Sequence, residues 1–152
     1  MTTSEQLAIL FKKFSLGGNY AGVSLEQALE GVSWEDSIVQ IKSLNSISTL
    51  VFHIDYYIAA VKQVLEGGPL EAKDSLSFIH PPVTSKKDWD TLKTVLFNNI
   101  EIVSGLLKSM DSSQFEKPFG TGAYGSTLRN VIGLLEHSHY HLGQIVLLKR
   151  LL

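Results

Sequence analysis

Apolar residues recur at intervals of three and four in four separate stretches of this chain, and that period confines it to packed helices. The first stretch runs from about Ser4 to Leu16, with Leu7, Leu10, Phe11 and Phe14 on one face and Gly17-Gly18 closing it. Ser24 and Gln27 have capping-box spacing and predict a short further turn. The second helix is expected to start after Ser33, at Trp34, and to continue to about Glu66. Ile38, Ile41, Leu44, Ile47, Val51, Ile54, Ile58, Val61 and Leu65 mark its stripe, and Gly67-Gly68-Pro69 stops it. A connector over 69–83 contains Pro81-Pro82, which exclude regular helix. The third helix is expected from near Ser85, with Leu92, Val95, Leu96, Ile102, Val103, Leu106 and Met110 inward; the fourth runs from near Ser126 to the C-terminus. Strand alternation is weak throughout. Four amphipathic helices joined by long connectors predict an all-α, four-helix bundle, a single domain over 1–152.

The last of these helices is apolar round most of its circumference, from Val131 to Leu152. Such a helix is buried on more than one side, which predicts a homodimer. Acids and bases are mixed along the chain at a net charge of -2, so no basic stripe is available for nucleic acid. There is no cysteine, which removes disulfides, thiolate ligands and a cysteine nucleophile together. The first residues lack the pattern of a signal peptide, and no apolar run is long enough for a bilayer. The expectation is a cytoplasmic protein with no membrane partner.

Chemistry concentrates in the histidines. His137 and His141 stand four apart, on one face of the last helix, and can chelate one ion; His139 between them points elsewhere. The protease pattern His-Glu-x-x-His is not met, because Ser138 occupies the glutamate position. A catalytic metal generally takes three protein ligands and leaves a position open. His53 is the candidate third ligand, lying mid-helix between Phe52 and Ile54 with Tyr57 one turn on. An imidazole buried there needs a partner, whether a metal ion, a backbone carbonyl or a tyrosine. Gln144, three residues beyond His141, and Tyr57 are candidates for supporting contacts to the ligands; Asn99 is a candidate for the cleft wall. His80, before Pro81-Pro82, reads as a solvated loop residue unless its connector folds over the site. Gly120-Thr-Gly-Ala-Tyr-Gly125 matches Gly-x-Gly-x-x-Gly, but without a preceding strand it reads as a loop leading into a helix.

With these residues in place, the chain resembles the DinB/YfiT-like superfamily of metal-dependent enzymes. The resemblance covers essentially the whole chain and is carried by the Trp34 segment, His53, and the closing His137-Ser-His-Tyr-His141-Leu-Gly-Gln144-Ile. It implies a four-helix bundle with one histidine from the second helix and two from the fourth as metal ligands, namely His53, His137 and His141. It also implies activity on a small-molecule substrate, since members with assigned reactions include transferases and isomerases that use low-molecular-weight thiols, and some hydrolases. In the thiol transferases the metal holds the cofactor sulfur as thiolate. Three neutral imidazoles suit zinc, nickel or iron without selecting among them. The sequence leaves two alternatives open: a non-catalytic metal-binding stress or regulatory protein, and a helical dimerisation module.

Overall fold

Local capping chemistry sets most of the helix starts. The computed structural model describes residues 1–152 and contains six α-helices and no strand. Helix α1 (Thr3–Leu16) opens on a capping box between Thr2 and Glu5 and ends at Gly17, whose φ of 121° an L side chain rarely adopts. Helix α2 (Leu25–Leu29) opens on the Ser24–Gln27 box, and α3 (Trp34–Ser37) on Ser33. Helices α4 (Ile47–Leu65), α5 (Lys86–Ser109) and α6 (Thr127–Leu151) are capped by Ser46, Ser85 and Ser126, each accepting from the backbone three residues on.

The expected second helix from Ser33 to Glu66 is in fact two. It breaks after Ser37, passes through Lys42 at φ 52°, and restarts at Ser46. The apolar spacing explains the break. Ile38, Ile41, Leu44 and Ile47 are separated by threes alone, and each step of three falls about 60° short of a full helical turn. Those four positions would therefore wind halfway round a helix instead of forming a stripe. From Ile47 the spacing alternates four and three, which holds one face, and Ile47, Val51, Ile54, Ile58 and Val61 are all buried. Ile38 and Leu44 are 43% and 46% exposed.

Helix α5 is likewise rotated from expectation. Its buried face is Trp89, Leu96, Ile100, Val103 and Leu107, while Val95 and Ile102 face solvent. It lies against both α1 and α4, and α6 packs on α4, with α1 and α2 completing its surroundings. One continuous core results, centred on Phe11, Phe14, Ile54, Ile58, Leu96, Val103, Val131 and Ile145. No helix is long and apolar enough to cross a membrane. The glycine-rich segment is a loop into α6: Gly120, Gly122 and Gly125 all have positive φ, and an isolated bridge pairs Pro118 with Ser126.

The connector between α4 and α5 matters most for function. It contains one short 3-10 turn, Asp74–Leu76, and is laid along one ridge of α4. Lys73 and Tyr56 exchange hydrogen bonds, the Tyr57 hydroxyl donates to Asp74, the Ser77 carbonyl meets His53, and His80 meets Thr49. Position 49, position 53 and the pair 56–57 fall about one turn apart on the helix, so the strap is fastened at successive turns.

Candidate metal centre

His53 projects from the middle of α4, and His137 and His141 project from adjacent turns of α6, the helix packed against it. The three side chains offer nitrogens that lie within 4.8 Å of one another, close enough to hold one metal ion. The Nε2 atom of His137 is 3.0 Å from that of His53 and 3.1 Å from that of His141. His53 and His141 are 4% and 6% exposed, and His137 is partly buried.

Hydrogen bonds on the far side of two rings fix their tautomers. His53 Nδ1 faces the Ser77 carbonyl at 3.2 Å, and His141 Nδ1 faces Gln144 Oε1 at 2.7 Å. Both partners are acceptors, so both Nδ1 atoms carry the proton and both Nε2 atoms present lone pairs to His137. His137 can answer only one of them with a single Nε2 proton, and its own Nδ1 is buried without a partner. With three neutral rings, the cluster therefore cannot satisfy itself. A cation among the three Nε2 atoms removes that conflict, because all three lone pairs then have a positive partner. Zinc–nitrogen bonds of about 2.0–2.1 Å place tetrahedral ligands about 3.4 Å apart, near the two contacts seen here. The residues fit a divalent ion with nitrogen ligands.

The surroundings hold the rings in place. Phe78, from the strap, stacks on His53 with centroids 3.9 Å apart and planes 10° from parallel. Tyr57 stands edge-on to His53 and His137, and Tyr140 edge-on to His141. Gln144 donates in turn to the Tyr140 hydroxyl at 3.1 Å, so the His141 ring is the end of a short chain of hydrogen bonds. Burial lowers the pKa of His53, with His141 adding to the effect and the Ser77 carbonyl and Asp74 opposing it. Burial also lowers His141 against the pull of Gln144, and lowers His137 to about 4, helped by both neighbouring rings.

These shifts give a stability prediction for the metal-free chain. The folded pKa of His137 lies below its ordinary 6.5, so the unfolded chain takes up the proton first as pH falls. Stability from this group is full above about pH 6.5 and is lost toward pH 4; because the ring is only partly buried, solvent screening holds the loss to about 1–2 kcal/mol. Urea unfolding in a chelator at pH 7.5 and 4.5 measures the loss, and His137→Leu is expected to reduce it, leaving the part that the lowered His53 and His141 contribute. An unchanged pH slope in that variant would remove His137 as the cause.

The remaining expectations fall into place by position. Gln144 supports His141 directly, and Tyr57 borders the cluster. His139 lies on another face, where it packs edge-on against Phe14 and points Nδ1 at the Leu135 carbonyl. His80 does sit on a strap that covers the site, yet it pairs with Thr49 and packs on Phe52, apart from the three converging nitrogens. Asn99 is turned from the cleft and donates to the buried carboxylate of Asp55 between α4 and α5.

A cavity of about 380 Å³ opens beside His137. Tyr57, Asp74, Tyr124, Arg129, Asn130 and His137 supply its polar groups, and Ala60, Val61, Leu70, Phe119 and Leu134 are among its apolar ones. Asp74, Phe78 and Arg129 were not legible as site residues. The first two reach the site only because the strap folds back; Arg129 did leave a signal, since it stands eight residues before His137, on the same helical ridge. The chain matches no protein-family model, no curated protein and no solved structure.

Proposed function

We propose that this chain is a DinB-like four-helix bundle that binds one divalent ion through His53, His137 and His141, and that it is a metal-dependent enzyme of the thiol-dependent transferase or hydrolase type. The observation that carries the reading is the meeting of three Nε2 atoms, where one proton on His137 Nε2 cannot answer the lone pairs of both His53 and His141. An adjoining cavity with apolar walls and a few polar groups favours catalysis over simple metal storage. A bound ion supplies Lewis acidity there, lowering the pKa of a water or thiol brought to it.

The chain's own residues then have distinct tasks. His53 and His141 are held as neutral ligands by Ser77 and Gln144. The Tyr57 hydroxyl, 2.5 Å from Asp74 Oδ1, keeps its proton: burial and the hydrogen bond to Asp74 both raise its pKa. Asp74 is the carboxylate on the cavity wall, and it is the group suited to accept a proton from a substrate hydroxyl or thiol. Tyr57 orients it. Phe78 limits water at the His53 side by covering that ring.

The exposed residues Ile132, Tyr140, Leu147 and Leu151 on α6 support a homodimer through that helix. The test begins with elemental analysis of protein purified without a metal-affinity tag, beside His53→Ala and His141→Ala. About one zinc, nickel or iron per chain is expected in the native protein and little in either variant. The same preparation should scatter light at twice the chain mass. A native chain that holds no metal and takes none up from zinc solution would end the metalloenzyme reading.

A further inference from the structure

Arg129, Gly133, His137 and His141 follow one another at intervals of four along α6, so they share a single ridge that runs from the cavity to the histidine cluster. Helical side chains ordinarily lean toward the N-terminus of their helix. Arg129 does the opposite: a Cβ built on Gly133 would lie 2.7 Å from its Nη1. Its guanidinium therefore lies over the turn at Gly133, in space that any side chain there would claim. That brings the cation to about 6 Å from the level of His137 along the helix axis, the reach of a four- or five-carbon chain.

Arg129 is the only cation on the cavity wall, and the only carboxylate there, Asp74, is engaged by Tyr57. Its one ionic partner is Glu136, at 3.8 Å and with both side chains exposed, a contact too long to occupy the five N–H groups of the fork. The cavity wall also includes apolar residues, Val61 and Leu134 among them. A cation and a histidine one turn apart along the ridge, with apolar wall beside them, describe a short ligand with an anionic head.

We infer that the Arg129 end of this cavity is an oxyanion subsite, and that the cavity takes a short aliphatic ligand with a carboxylate or phosphate at one end and its reacting group directed toward His137. Bidentate pairing with the guanidinium fixes the anionic head. Gly133 is the specificity-determining position, because its missing side chain lets the cation reach the cavity. The role of this ligand as substrate rests on the metal-dependent activity proposed above; the subsite itself does not.

The test titrates the chain, with and without one equivalent of zinc, with hexanoate, pentyl phosphate and hexan-1-ol, following the amides of Asn130 and Gly133 by NMR. At least one anion is expected to bind about tenfold or more tighter than the alcohol, as charge-assisted pairing implies. The tighter of the two names the head group. Arg129→Gln should erase the preference. Gly133→Ala keeps the charge but moves it, and should weaken the anion about threefold or more; Glu136→Gln, which frees the guanidinium, should strengthen it. Equal binding of anion and alcohol by the native chain, or a preference that survives Arg129→Gln, would overturn the subsite. An anion preference in a chain that takes up no zinc keeps the subsite and ends the metalloenzyme reading. Zinc uptake without an anion preference does the reverse.

Discussion

Replacement of His137 by alanine is expected to weaken zinc binding by on the order of a thousandfold, because it removes one of only three nitrogens proposed to hold the ion. His137 is the most consequential of the three: its Nε2 is the atom in contact with both of the others, at 3.0 and 3.1 Å. The metal-free fold should survive the change. The core is built from apolar residues of every major helix and does not depend on the histidines for its packing. The alanine variant also removes the buried Nδ1 that has no partner, which offsets part of the cost of the gap it leaves, so its apo form should stay folded. Competition with a chromophoric chelator gives the affinity, and urea unfolding in EDTA gives the stability. Loss of fold in the apo variant would show that the cluster is structural. Retention of near-native zinc affinity would place the ligands elsewhere.

Trp89→Ala is expected to show the opposite pattern, with folding strongly weakened and the histidine cluster untouched. Trp89 is 1% exposed in the first turns of α5, and its indole Nε1 donates to the Val32 carbonyl at 2.9 Å, just ahead of α3. It thereby ties the two short helices to the long ones. Truncation leaves a cavity and costs the carbonyl its donor, a loss of about 3–5 kcal/mol. That is a large share of the roughly 5–15 kcal/mol by which domains of this size are stable. Urea unfolding at pH 7.5 measures the change, and zinc stoichiometry measured on the folded fraction should stay as in the native chain. A loss below about 1 kcal/mol would show that the surrounding helices close over the gap.

The two variants also divide what was legible from what was not. Helix starts at Ser24, Ser85 and Ser126 were readable because capping is a contact within three residues, and each cap forms as spaced. The pair His137 and His141 was readable for the same reason, since helical geometry alone puts positions four apart on one face. Gln144 likewise lies within a turn of the ring it supports.

The break between Ser37 and Ser46 was legible too, in the unbroken spacing by threes, but counting apolar residues without their angular drift hid it. The rotation of α5 was not. Which side of an amphipathic helix is most deeply buried depends on the neighbours that meet it, here α1 on one flank and α4 on the other.

What the sequence determined by itself was the all-helical character, the caps, and the three histidine types at spacings that allow a shared ion. The meeting of His53 with His137 across 84 positions was decided by the packing of α4 on α6. Packing likewise decided that Asp74 and Phe78 should belong to the site and that Arg129 should lie across Gly133. The physical reason is the range of the interactions. Capping and helical periodicity act within one or two turns and leave a mark in consecutive residues, whereas the site is assembled by burial of apolar surface, which is non-directional and leaves no mark of which faces will meet.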